Sequence, residues 1–193
     1  MVSALAKALD AEPLVEDPLR ERILQAALQQ FNLVGLRRTT VGDVARRAGV
    51  GRVTVYRRVG QKRELVVGVI QSEINRLMGT VREAIAPLGS TEDRLVEAFV
   101  VGVGSMGSHP LLRRLLETEP EDLLPYLTLN FQPILVLART FVTREVAPGR
   151  DSDLLGEVLA RLAQSLILTP GDFQLGDERR LREFARSYIR PLV

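Results

Sequence analysis

Apolar residues recur along this chain at helical spacing, and alternating strand patterns are nearly absent. Ile23, Ala27 and Phe31 fall four apart, with Leu24 and Leu28 beside them, so one stripe of an opening helix faces inward. Pro18 suits its first turn and Gly35 can end it. Thr40 and Asp43 then stand three apart, the spacing that caps a new helix start. Val41, Val44, Ala45 and Ala48 supply that helix's inner face, and Gly49 is a stop able to turn left-handed. A short third helix is expected from about Gly51 to Arg58.

Further on, a long helix is expected from Gln61 or Lys62 to about Ile85, where Pro87 and Gly89 break it. Ser90 or Thr91 with Asp93 starts another, running to about Gly107. His109-Pro110 opens a short piece that Pro120 interrupts, and Pro133 begins a stretch ending at Pro148-Gly149. Asp151–Leu168 and Asp177–Arg190 carry wide apolar stripes on either side of the turn Thr169-Pro170-Gly171. The pattern predicts an all-α fold of about nine helices. Residues 1–18 read as a flexible arm, 19–61 as a three-helix helix-turn-helix unit, and 62–193 as a larger helical domain.

Charge changes the picture. Residues Arg37 to Arg63 hold nine basic side chains (Arg37, Arg38, Arg46, Arg47, Arg52, Arg57, Arg58, Lys62, Arg63) against one acid, Asp43. That stretch carries +8 while the 193-residue chain carries +2, leaving −6 on the remaining 166 residues. Such segregation points to a polyanion partner for one end only, and DNA is the expected one. The absence of cysteine removes disulfides, zinc fingers, iron–sulfur clusters and thiol catalysis, and the single histidine, His109, gives metal or general-base chemistry little material. No cofactor, metal site or enzymatic activity is expected. No apolar run reaches the ~20 residues of a membrane-spanning helix, and no secretory signal is seen, so a cytoplasmic protein is the expectation.

In a helix-turn-helix the second helix enters the major groove and its first residues reach base edges. Small residues are needed where the helices meet, and Ala45, Ala48 and Gly49 provide them. Gly51, Arg52, Thr54 and Arg57 form the outward face, while Val50, Val53 and Val55 divide between core and groove floor. Arginine can bind guanine O6 and N7 in a bidentate way, and hydroxyls hold phosphates. Thr40, Tyr56 and Lys62 are the phosphate candidates.

These residues also carry a resemblance. The run I-L-x-A-A-x-x-x-F at Ile23–Phe31, Gly35, T-T-V-x-D-V-A-x-x-A-G-V at Thr39–Val50, T-V-Y-R at Thr54–Arg57 and K-x-E-L at Lys62–Leu65 resembles the TetR family of bacterial transcriptional regulators. The resemblance implies phosphate contacts from Thr40, Tyr56 and Lys62, base reading by residues 51 to 57, and a homodimer bundled through the last two long helices. Two positions depart from the family pattern: Val59 replaces the usual aromatic, and Gly51 the usual serine that opens the recognition helix.

The expected function is a ligand-responsive regulator, a repressor that binds a palindromic operator as a homodimer and is released by a small apolar effector. Phe99, Val103, Met106, Leu127, Asn130, Phe131 and Leu135 are candidate pocket residues. The rivals are a ligand-independent DNA binder and a nucleotide-binding enzyme. The enzyme would use Gly102-Val103-Gly104-Ser105-Met106-Gly107, which matches G-x-G-x-x-G, a motif that requires a surrounding βαβ unit. Glu117, Glu119, Glu121 and Asp122 cluster in what reads as a solvated turn.

Overall fold

The computed structural model describes residues 17–146, 150–171 and 175–192. Most of the expected arm, and the Pro148-Gly149 stop, lie outside them. The described residues form ten α-helices and one 3-10 turn, with no strand. The chain divides into two compact units, one running to Asn75 and adding Pro110–Pro125, the other made of Arg76–His109 and the residues from Tyr126 onward. This grouping differs from a boundary after residue 61: it falls within the fourth helix and returns a short central segment to the first unit.

In the first unit, α1 spans Pro18–Arg38 and opens on Asp17, whose carboxylate accepts from the backbone N–H groups of Leu19 and Arg20. Ile23, Leu24, Ala27 and Phe31 are buried as their spacing requires. Gly35 breaks the helix with φ 87° and ψ 173°, a backbone region almost restricted to glycine. Helix α2, Val41–Arg47, begins with a full capping box, in which the Asp43 N–H donates to the Thr40 hydroxyl oxygen and the Thr40 N–H donates to the Asp43 carboxylate. After Gly49, at φ 64°, comes α3, Arg52–Arg58. Helix α4 is Lys62–Ile85.

Two short helices complete this unit, α6 (Pro110–Thr118) and most of α7 (Pro120–Leu127). They grip the broken end of α1 with polar groups. The N–H groups of Leu36 and Arg37 donate to the Glu119 carboxylate at 2.8 and 3.1 Å, and Arg114 donates to the carbonyls of Asn32 and Leu33. Arg37 pairs with Glu121 at 2.9 Å and Asp122 at 2.6 Å. Three members of the acidic cluster expected to be a solvated turn, Glu119, Glu121 and Asp122, therefore have structural partners. Glu119 takes over two N–H groups left open by the break at Gly35, each of which needs an acceptor.

The second unit is built on α5, Thr91–Gly107, which Ser90 caps by accepting from the Asp93 N–H. Leu95, Val96, Phe99, Val100 and Val103 on α5 pack with Val142 of α8 (Gln132–Glu145), Leu159 of α9 (Arg150–Leu168), and Leu181 and Ala185 of α10 (Glu178–Tyr188). A separate cluster joins Phe131 and Leu135 to Ala160 of α9. A side chain on Gly156 would stand 2.7 Å from the Arg139 Cα, so the missing Cβ lets α9 press directly on the α8 backbone. Arg182 clasps both Glu97 oxygens, at 2.6 and 2.8 Å, fastening α10 to α5.

Candidate nucleic-acid interface

Helix α3 presents two faces set by its sequence. Val55 is fully buried, whereas Val53 is 77% exposed, and Arg52, Tyr56 and Arg57 also face outward. Thr54 is half-buried, and Gly51 caps the helix without a side-chain hydrogen bond. Of the three valines, Val55 is inward, Val53 outward and Val50 half-buried. Of the expected outward set, Gly51, Arg52 and Arg57 are exposed and Thr54 is half-buried.

Thr40 is exposed, but its hydroxyl is already engaged, donating to the Asp43 carboxylate at 2.6 Å. That hydroxyl, with the Thr40 backbone N–H, holds the Asp43 carboxyl below its usual value, against an opposing effect of desolvation. The start of α2 is therefore held by reciprocal bonds that favour the ionised carboxylate. Lys62 donates from Nζ to the Arg37 carbonyl at 2.9 Å, which ties the first turn of α4 to the end of α1.

The basic stretch is not uniformly available to an outside anion. Arg37 is paired with Glu121 and Asp122, whose hydrogen bonds raise its pKa, Arg46 with Asp43, and Arg58 with Asp17. Arg47 donates to the side-chain oxygen of Gln30 at 2.9 Å. Arg38, Arg52 and Arg57 are exposed. The Arg52 guanidinium lies over Gly42 of α2, in the volume a side chain there would fill. Neither the acidic grip on α1 nor this seat on Gly42 has a signature in local sequence. The first joins residues 82 to 85 apart, and the second depends on how α2 and α3 cross.

Four of the candidate pocket residues divide between two hydrophobic clusters. Phe99 and Val103 belong to the packed α5 cluster, and Phe131 and Leu135 to the α8–α9 cluster. Met106, Leu127 and Asn130 are half-buried. The glycine motif lies wholly inside α5, with no strand before it, so the geometry that a phosphate-binding turn needs is missing. A side chain at Gly107 would stand 2.5 Å from the Leu175 Cβ, which makes this glycine a packing residue. No single helix among the described residues is long and apolar enough to cross a membrane.

On the helices expected to pair, Leu154 and Val158 stand one turn apart on α9 and are 53% and 50% exposed. On α10, Tyr188 is exposed and its ring lies tilted against that of Phe184, with centroids 5.1 Å apart.

Residues 23–69 match the family model described as bacterial regulatory proteins, tetR family. An uncharacterised HTH-type transcriptional regulator of Mycobacterium bovis is 29% identical over 161 residues, covering 83% of this chain and 72% of the relative. The HTH-type transcriptional regulator AlkX of Mycobacterium tuberculosis is 28% identical over 160 residues, covering 79% and 76%. Among solved structures, the TetR family repressor AlkX from a Dietzia strain, described as implicated in biodegradation of n-alkanes, superposes with a TM-score of 0.69. It is 23% identical, over 89% of this chain and 98% of that one.

Proposed function

The chain belongs to the TetR family of bacterial transcriptional regulators, and from that premise we propose that it is a homodimeric repressor whose paired α3 helices read a palindromic operator. The observation that carries this is the division of α3, with Val55 fully buried and Arg52, Val53, Tyr56 and Arg57 turned outward. Under this reading Gly51, Arg52, Val53, Thr54 and Arg57 meet base edges, and Thr40, Tyr56 and Lys62 meet phosphates. Pairing through α9 and α10 is supported by Leu154 and Val158, which leave an apolar ridge on α9. A dimer is also what two consecutive major grooves require, since half-sites recur about 34–36 Å apart.

The test is selection of bound duplexes from random-sequence DNA by the full-length protein, followed by footprinting. An inverted repeat with half-sites about one helical turn apart is expected. A protein that enriches no sequence at low salt defeats the proposal.

Release by an apolar effector completes the proposed function. Straight-chain hydrocarbons are the first probes, because the relatives named AlkX include one described as implicated in biodegradation of n-alkanes. Effector and operator then weaken each other by one shared factor, which calorimetry in both orders of addition reads directly. The second reading, a DNA binder that answers to no ligand, is favoured by the burial of Phe99 and Val103 among packed side chains. Equal duplex affinity with and without every probe would select it.

A further inference from the structure

Gly42 is the second residue of α2, a helix whose start is fixed by the Thr40–Asp43 capping box. A Cβ built on it would lie 2.7 Å from Arg52 Nη2, 2.8 Å from Nε and 2.9 Å from Cζ. All three distances are below any normal van der Waals contact, so the guanidinium occupies the volume that a side chain at position 42 would take. Arg52 is also the first residue of α3, directly after the N-cap. The starts of two helices therefore share one cationic group.

Arg52 differs from three of its basic neighbours, and its place against Gly42 distinguishes it from the rest. Arg37, Arg46 and Arg58 each bond a carboxylate, whereas Arg52 has no such partner among the described residues. It rests beside the start of α2, the helix end that disfavours a cation. An exposed, unpaired guanidinium in that place keeps its planar fork of donors open. The fork's geometry matches the O6 and N7 acceptors of guanine.

We propose that Gly42 is a specificity-determining position: by lacking a side chain it seats Arg52 across the start of α2, and from that seat Arg52 reads a guanine in the major groove. Gly42 is a positioning residue, since it touches no base itself. The inference rests on the DNA-reading assignment of α3 made above.

Gly42→Ala tests it cleanly. The atoms it displaces are the far end of a flexible side chain, and alanine favours a helix more than glycine does, so the variant folds with a melting temperature at or above the parent's. Gly42→Ser serves as a second variant. Each full-length protein is titrated with the duplex selected by the parent, and with copies in which each G·C pair is changed to A·T in turn.

The parent is expected to discriminate at one G·C position per half-site by about tenfold or more. Arg52→Ala, Gly42→Ala and Gly42→Ser lose that discrimination and keep it elsewhere. The double variant Gly42→Ala/Arg52→Ala discriminates no worse than Arg52→Ala, because both changes act on one contact. If Gly42→Ala and Gly42→Ser discriminate like the parent while Arg52→Ala does not, the seat is idle and this inference falls alone. If Gly42→Ala still alters binding when Arg52 is already alanine, Gly42 acts by another route and the inference is likewise overturned. If Arg52→Ala loses nothing, the base-reading role of Arg52 falls and takes the inference with it.

Discussion

Thr40 and Asp43 bond each other's backbone and side chain, so the start of α2 depends on one hydroxyl and one carboxylate. Thr40→Ala is expected to cost about 0.5–2 kcal/mol of stability, measured by urea unfolding. The Asp43 carboxyl is held below its usual 3.8, first by the Thr40 hydroxyl. A depressed folded pKa means its stabilisation is complete above the unfolded value and fades as pH falls through the lower folded one. Parent and Asp43→Asn stabilities should therefore differ by a constant amount from pH 8 to pH 5 and converge only in acid. Convergence already at neutral pH would contradict this.

Lys62 belongs to the same scale. Its ammonium sits on the Arg37 carbonyl, an acceptor it would exchange for a phosphate on binding DNA. Lys62→Ala is expected to weaken all duplexes alike and to reduce the salt slope by about one. A changed sequence preference with an unchanged slope would remove Lys62 from the phosphate contacts.

At the scale of elements, the break in α1 and the grip of α6 and α7 form one arrangement. Gly35→Ala is expected to destabilise by about 1–3 kcal/mol, because its backbone lies where only glycine is comfortable. Its Cβ would also stand 2.0 Å from Glu119 Oε1 and so displace that carboxylate. Glu119→Ala leaves the Leu36 and Arg37 N–H groups without their acceptor and is expected to cost about 1 kcal/mol. The two changes damage the same contact, so the double variant should lose less than the sum in denaturant titrations. Strict additivity would show that Glu119 does not support the break. Sequence alone located Gly35 as a helix end, a local property of glycine. It misread Glu119, Glu121 and Asp122 because their partners stand more than eighty residues away, and four clustered carboxylates look the same in solvent as against a helix end.

For the whole molecule, the exposed ridge of Leu154 and Val158 is the feature that a single chain leaves open. Leu154→Asp/Val158→Asp is expected to shift sedimentation from dimer to monomer and to abolish cooperative operator binding, while circular dichroism stays helical. A double variant that still sediments as a dimer would place the interface elsewhere. The breadth of the α9 stripe was visible in sequence, but the division of its residues was not: Leu159 went to the core, while Leu154 and Val158 stayed outside.

Sequence by itself determined the all-α class, the helix starts at Pro18, at Thr40 and at Ser90 or Thr91, the turn at Gly49, and the concentration of positive charge around α3. These follow from bonds and spacings within about four residues, which any local segment carries. Tertiary structure alone decided which arginines remain open, what fills the space beside Gly42, how Gly156 admits the backbone of α8, and that Pro110–Pro125 groups with the first unit. Each of these depends on where distant segments meet, and neither hydrophobic period nor charge count encodes the distance between two side chains on different helices.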